Sequence, residues 1–165
     1  MNTRFLARQA AVAAVYMVLT IGLSGISYGP LQFRVSEVMT LLPFYNKEYI
    51  WGITVGCILA NIASPFGIVD IIVGSFASFL AAVIMSRMKN IWLASLMPAI
   101  TNILVGVQIA LMSSEPLNFF VVTGQIMLSQ FIIVTIIGVP LFKVLTKNKS
   151  FVNMLELNDK KSFRS

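Results

Sequence analysis

The spacing of the charges constrains this chain more than any other feature. No Asp, Glu, Lys or Arg occurs between Arg8 and Arg34, between Glu48 and Asp70, between Lys89 and Glu115, or between Glu115 and Lys143. A bilayer core of about 30 Å takes about 20 helical residues at a rise of about 1.5 Å each. Charge-free runs of that size are lengths of membrane helix. Composition agrees: 58% of the 165 residues are hydrophobic and 11% are charged, against about 25% charged in a soluble domain. A globule of this size has too little interior to hide so much apolar surface, so the remaining solvent is lipid. A soluble enzyme is excluded.

The charges and the Pro/Gly clusters divide the chain into six segments. The first runs from about Leu6 to Tyr28 and ends at Gly29-Pro30. The second is short, from about Val35 to Tyr45, and the third runs from about Tyr49 to Ala63, ahead of the breaker Ser64-Pro65-Phe66-Gly67. The fourth is Ile68 to Met85, the fifth Ile91 to Met112, and the sixth Leu117 to Leu145. The apolar run of the first is longer than a signal-peptide core and more segments follow, so it is expected to remain in the mature protein. A re-entrant pair made of segments two and three would leave Lys47 deep in hydrocarbon, whereas a thinned span brings it to an interface. The expected fold is therefore all-α, an integral membrane bundle of six transmembrane helices over residues 1–147. A polar cytoplasmic tail follows over 148–165.

Basic residues set the orientation. With a cytoplasmic N-terminus, eleven of the twelve Lys and Arg lie inside and only Arg34 falls outside, which the positive-inside rule favours. Both termini are then expected to be cytoplasmic. The net charge of +6 is accounted for by topology, and no nucleic-acid partner is needed to explain it. The chain has no His and one Cys, Cys57. An internal disulfide, a His-bearing metal site and a Ser/His or Cys/His catalytic pair cannot be built, and no cofactor is expected. No G-x-x-x-x-G-K-[ST] phosphate loop occurs, so any ATP-driven step falls to another chain.

Polar side chains inside a membrane carry the functional signal, because each is costly unless paired or facing a cavity. In this topology Arg34 and Glu37 stand at the outer end of segment two, Asn61 near the outer end of segment three and Asp70 at that of segment four. Asn102 lies near the middle of segment five with Gln108 further out, and Gln125 lies about two turns into segment six. The inner halves are mostly Leu, Ile, Val, Met, Phe and Ala, apart from Gln130 and a few hydroxyls. This asymmetry fits a pocket open outward and sealed below. Each residue also has a plainer role: Arg34 and Glu37 as an i,i+3 ion pair, the amides as hydrogen-bonded glue between helices. Convergence from five segments favours a site. Carboxylates and amides suit the N–H and carbonyl edge of a nucleobase-like ring, Glu37 or Asp70 suits a cation, and Tyr28, Phe33, Phe44 and Phe66 are candidates to stack on it. A second pattern lies on segment one, where Ala7, Ala10, Ala11 and Ala14 form a small-residue stripe that admits a close helix, whether from this chain or a partner.

Three stretches carry a family likeness: Tyr28-Gly-Pro-Leu-Gln-Phe-Arg-Val-Ser-Glu-Val-Met-Thr-Leu-Leu-Pro43, Gly56-Cys-Ile-Leu-Ala-Asn61 and Ser64-Pro-Phe-Gly-Ile-Val-Asp70. With these the chain resembles the QueT family of queuosine-precursor transporters, substrate-binding S components of energy-coupling factor (ECF) transporters. The resemblance implies a six-helix receptor in the bacterial cell membrane that captures a 7-deazaguanine such as preQ1, preQ0 or queuine. It implies a membrane T component and two ATPase subunits as partners, with the family's A-x-x-x-A contact falling on Ala10 and Ala14. It further implies a lid over the ligand at about Gly25 to Arg34, and release by toppling of the whole subunit. On chemistry and depth, Glu37 or Asp70 is expected to meet the cationic or N–H groups of the ligand. Asn61, Asn102, Gln108 and Gln125 are expected to read its polar edge, and Arg34 to position Glu37 or close the lid. The competing readings are a stand-alone secondary transporter with Glu37 and Asp70 as proton sites, an intramembrane enzyme using the same two carboxylates, and a structural subunit.

Overall fold

The computed structural model describes residues 3–29, 32–112 and 118–157. Among the described residues every regular element is a helix. Helix α1 is Thr3–Gly22, followed by the single turn α2, Ser24–Ser27; a 3-10 stretch, Val35–Leu41, runs into α3, Leu42–Tyr45. Helices α4 and α5 are Tyr49–Asn61 and Ile68–Arg87. The expected fifth segment is an interrupted helix made of α6 (Ile91–Ala94), α7 (Met97–Thr101) and α8 (Ile103–Met112). The sixth comprises α9 (Phe119–Gln130), a π-helical stretch (Phe131–Gly138) and α10 (Val139–Leu145), after which comes α11, Lys149–Met154.

Among the described residues, four helices are long and apolar enough to cross a bilayer: Thr3–Gly22, Ile68–Arg87, Ile91–Met112 and Phe119–Leu145. They correspond to the first, fourth, fifth and sixth segments read from the sequence. Helix α4 has 13 residues, about 20 Å of rise, and the 3-10/α3 segment is shorter still. The apolar faces of the long helices point outward: Phe120 is 81% exposed and Leu111 79%, an arrangement that suits lipid and not water.

Local chemistry explains the breaks. Asn90 caps α6 by accepting from the backbone N–H of Trp92 at 2.9 Å, and Pro98 sits at the start of α7, where a missing N–H costs nothing. Pro140 likewise lacks the N–H that would bond back into the turn before it, and the helix is widened to π geometry just upstream. In that widened stretch Gly138 meets the 3-10 segment so closely that a Cβ there would lie 3.0 Å from Leu41 Cδ1. Gly67, at φ +60°, turns the chain into α5, a conformation that favours glycine.

Helix α1 packs along α4 through small residues. A Cβ on Gly56 would lie 2.9 Å from Tyr16 Cβ and 3.0 Å from the Ala13 carbonyl oxygen, and one on Gly52 would lie 2.7 Å from Gln9 Oε1. The main core, in the half of the bundle towards the chain ends, holds Leu41, Phe44, Tyr45, Tyr49, Ile53, Met85, Ile91 and Phe142. A smaller apolar cluster of Ala77, Val105, Ile109, Val122 and Ile126 joins α5, α8 and α9. Of the segment read as a polar tail, residues 148–157 fold back onto the bundle. Val152 and Leu157 are buried, the Tyr49 hydroxyl donates to the Leu155 carbonyl at 2.8 Å, and Arg8 of α1 forms ion pairs with Glu48 and Glu156. The beginning of α1 and the end of the described chain therefore meet at one end of the bundle.

Candidate functional site

At the opposite end of the bundle lies a buried cluster of polar side chains. Its centre is Asp70, in the first turn of α5 and fully buried. Asp70 Oδ1 accepts from Gln108 Nε2 of α8 at 2.9 Å, and Oδ2 accepts from the Ser64 hydroxyl. The Arg34 guanidinium stands 3.5 Å from the same Oδ2. Arg34 itself is 5% exposed. It donates through Nη1 to Asn61 Oδ1 at 2.9 Å, through Nη2 to Gln32 Oε1 at 3.0 Å and through Nε to the Ser27 carbonyl at 3.4 Å. It also lies over the Tyr28 ring, 5.4 Å from the centroid. Asn61 closes the ring of contacts by donating from Nδ2 to the Asp70 carbonyl oxygen at 3.0 Å. Gly74 makes room for that amide, since a Cβ there would lie 2.7 Å from Asn61 Nδ2.

Below this cluster is a second one. The Tyr16 hydroxyl of α1 donates to Glu37 Oε1 at 2.7 Å, and one turn along, Thr20 and Ser36 share a hydrogen bond of 2.6 Å. Cys57 and Ser78, 3.3 Å apart, lie between α4 and α5, and Asn61 Nδ2 reaches Cys57 Sγ at 3.5 Å. Polar groups from α1, the 3-10 segment, α4, α5 and α8 thus form one buried region.

Of the residues singled out from sequence, Arg34, Asn61, Asp70 and Gln108 are brought into direct contact. Glu37 belongs to the adjoining network. In place of the i,i+3 ion pair weighed as their plainer role, Arg34 faces Asp70 and Glu37 takes the Tyr16 hydroxyl. The reason is local, because Arg34 is extended (φ −93°, ψ 99°) ahead of the 3-10 helix, so helical i,i+3 spacing does not apply to it. Asn102 is buried at the break between α7 and α8, and Gln125 is half-buried on α9; neither belongs to the hydrogen-bonded set around Asp70. Among the aromatic candidates, Tyr28 joins the cluster and its hydroxyl donates to the Ala60 carbonyl at 2.5 Å. Phe44 is instead fully buried in the main core, edge-on to Tyr45. Phe33 and Phe66 are partly buried against the main and smaller cores respectively. Tyr16, Gln32 and Ser64 were missed, although the position of Ser64 beside a breaker, six residues before Asp70, was a usable signal.

Among the described residues several buried polar atoms have no hydrogen-bond partner, including Gln108 Oε1, Ser27 Oγ, Ser75 Oγ and Thr123 Oγ1. Unmet groups of this kind are costly in a protein interior, and Gln108 Oε1 lies on an amide already bound to Asp70. On α1, the buried face is Gln9, Val12, Ala13, Tyr16 and Thr20, while Ala7, Ala10, Ala11 and Ala14 are all exposed. Helix α4 packs on Ala13, and Ala10 borders a groove on the α4 side with Trp51, Gly52 and Val55. Ala7 and Ala11 border an apolar groove of about 680 Å³ shared with the 3-10 segment, α10 and α11.

Long apolar helices with outward-facing hydrophobic side chains and a polar cluster enclosed at one end are the features of an integral membrane protein. Comparison narrows the class: the sequence model for the QueT transporter matches residues 6–147, and the chain belongs to that family. A curated relative, "Queuosine precursor transporter QueT" of Lactococcus lactis subsp. cremoris (strain MG1363), is 52% identical over 71 residues, which cover 42% of this chain and 41% of the relative. The aligned stretch spans less than half of that relative's length. No solved structure matches the chain.

Proposed function

We propose that this chain is the substrate-binding S component of an ECF-type ABC transporter that imports queuosine precursors, 7-deazaguanines such as preQ1, preQ0 or queuine, across the bacterial cell membrane. The single observation that carries the reading is the enclosed Arg34–Asn61–Asp70–Gln108 cluster, in a chain whose curated relative is a queuosine precursor transporter. Its acceptors and amides match the donor and carbonyl edge of a deazaguanine ring, and the adjoining Glu37 offers a second carboxylate. In this reading the bundle has six spans with both termini cytoplasmic, segments two and three crossing a thinned region. The exposed Ala7, Ala10, Ala11 and Ala14 stripe is the face for the T component, with two ATPases supplying energy. The mostly apolar core between the polar cluster and the chain ends supports release by movement of the subunit and not through a pore of its own.

The test is equilibrium binding of preQ1, preQ0, queuine and guanine to the purified chain in detergent, with an unrelated vitamin as control. Saturable binding of a deazapurine by the lone chain supports the receptor. Absence of binding by folded protein sinks the queuosine assignment. Uptake by this chain alone, abolished by an uncoupler, would replace the ECF role with that of a secondary transporter.

A further inference from the structure

The groups that surround Arg34 have a shape. Two amide oxygens, from Asn61 and Gln32, accept from its two terminal nitrogens at 2.9 and 3.0 Å. A carboxylate oxygen of Asp70 stands 3.5 Å from Nη2. The guanidinium carbon lies over the Tyr28 ring, 5.4 Å from its centroid. A planar N–C–N group with parallel N–H donors, read by amide and carboxylate oxygens and lying over an aromatic ring, is also a description of a bound 2-amino-pyrimidinone edge. The N1–H and 2-amino group of a 7-deazaguanine are such an edge, with the same guanidine-like connectivity as an arginine head.

The two partners differ in how they are held. Asn61 and Asp70 belong to α4 and α5, packed helices whose neighbours leave no space for a Cβ at Gly74. Arg34 belongs to the connection between α2 and the 3-10 helix, extended at Arg34 itself and turned sharply at Gln32, where φ is +49°. We propose that Arg34 is a built-in occupant of the ligand site: its guanidinium fills the acceptor set in the empty protein and is displaced by the guanidine-like edge of the incoming ligand. Gln108 Oε1, buried without a partner on the amide that holds Asp70, is an acceptor that the guanidinium leaves unused and that a larger heterocycle has N–H groups to satisfy. Arg34 is then a specificity device. It keeps the buried carboxylate neutralised between ligands, and it admits in its place molecules that offer the same donor edge.

This inference rests on the proposed 7-deazaguanine site, and its test separates the two. Binding of preQ1 and of 7-deazahypoxanthine, which lacks the 2-amino group, is measured for the wild-type chain, Arg34→Lys and Arg34→Ala. No binding of preQ1 to the wild type would end the site assignment itself. Given wild-type binding, Arg34→Lys keeps a cation beside Asp70 but cannot span the paired acceptors, so the competing occupant is weakened. The apparent dissociation constant scales inversely with the fraction of free site, and preQ1 is expected to bind about three- to tenfold more tightly to Arg34→Lys, with no comparable gain for 7-deazahypoxanthine. Equal or weaker preQ1 binding by folded Arg34→Lys overturns the inference and makes Arg34 an ordinary ligand contact or a structural cation. In Arg34→Ala, millimolar guanidinium is expected to raise the melting temperature and to compete with preQ1, restoring the occupant in free form; failure to compete counts against the inference independently of the lysine variant.

Discussion

The Arg34–Asp70 pair makes a quantitative prediction about stability. Asp70→Asn preserves shape, and one of the two hydrogen-bond donors to its carboxylate can adapt: Gln108 Oε1 has no partner, so its amide can rotate and accept from the new amide nitrogen. Ser64 can keep donating to the retained oxygen. What cannot be recovered is the charge. At 3.5 Å and an effective dielectric constant of about 20, the lost attraction is about 5 kcal/mol. Arg34 retains three hydrogen bonds, to Ser27, Gln32 and Asn61, so the net loss is expected at about 3 kcal/mol, the lower end of what breaking a buried pair costs. Arg34→Met leaves Asp70 as the uncompensated charge and is expected to cost a similar amount. The double variant removes both charges, and its loss is expected to be smaller than the sum by about 3 kcal/mol. The assay is reversible unfolding in mixed micelles titrated with a denaturing detergent, run on the four members of the cycle. Additive losses, or a cost below about 1 kcal/mol for Asp70→Asn, would refute a buried charge pair between these side chains.

Tyr16→Phe removes the hydroxyl that donates to Glu37; a buried carboxylate deprived of a donor is expected to cost about 2 kcal/mol, and an unchanged unfolding midpoint would show that this bond carries nothing. Gly56→Val pushes a side chain into Tyr16 and the Ala13 backbone, and the α1–α4 crossing is expected to lose about 2 kcal/mol, together with ligand affinity because Tyr16 holds Glu37; unfolding and binding titrations check both. Ala10→Leu with Ala14→Leu enlarges an exposed stripe, so the melting temperature and preQ1 binding are expected to stay at wild-type values while co-purification with the T component and ATPases is lost. Retained co-purification would move the docking face elsewhere.

The sequence made the chemistry of the site legible before its wiring. Charge spacing and hydropathy located the four long apolar helices, because a charged group inside lipid is so costly that nearly every permitted position is an end. The same argument placed Arg34, Asn61, Asp70 and Gln108 at one depth, and those four meet. What it could not supply was pairing. Helical spacing tied Arg34 to Glu37, but the chain is extended at Arg34, and the cation reaches across to α4 and α5 instead. Tyr16 gave no signal because an aromatic residue in an apolar helix is ordinarily packing, and its bond to Glu37 comes from a segment 21 residues further along the chain. The docking of residues 148–157 was hidden for a different reason. The Lys and Asn residues mark the segment as a polar tail, yet its apolar residues Phe151, Val152, Leu155 and Leu157 pack against the main core, and Arg8 pairs with Glu156.

The distribution of polarity along the bundle has one more consequence. The cluster around Asp70 is neutralised within the chain: the Asp70 carboxylate and the Asn61 amide oxygen each face a donor from it, and the unmatched atoms are neutral ones such as Gln108 Oε1 and Ser27 Oγ. A carboxylate left bare in such a site would be destabilised by several kcal/mol, and a site of that kind would bind almost any cation that reached it. Intramolecular satisfaction therefore trades affinity for selectivity, since a ligand gains only the difference between its own contacts and those it displaces. On the far side of the cluster the core becomes Phe44, Tyr45, Tyr49, Ile53 and Met85, side chains that offer a polar solute little in place of those contacts. If the proposed ligand is held at Asp70, this apolar core stands between it and the end of the bundle where the beginning of α1 and residues 148–157 meet. In the proposed S-component role that asymmetry is what an energised partner overcomes, and the exposed Ala stripe of α1 is the face the proposal gives to it.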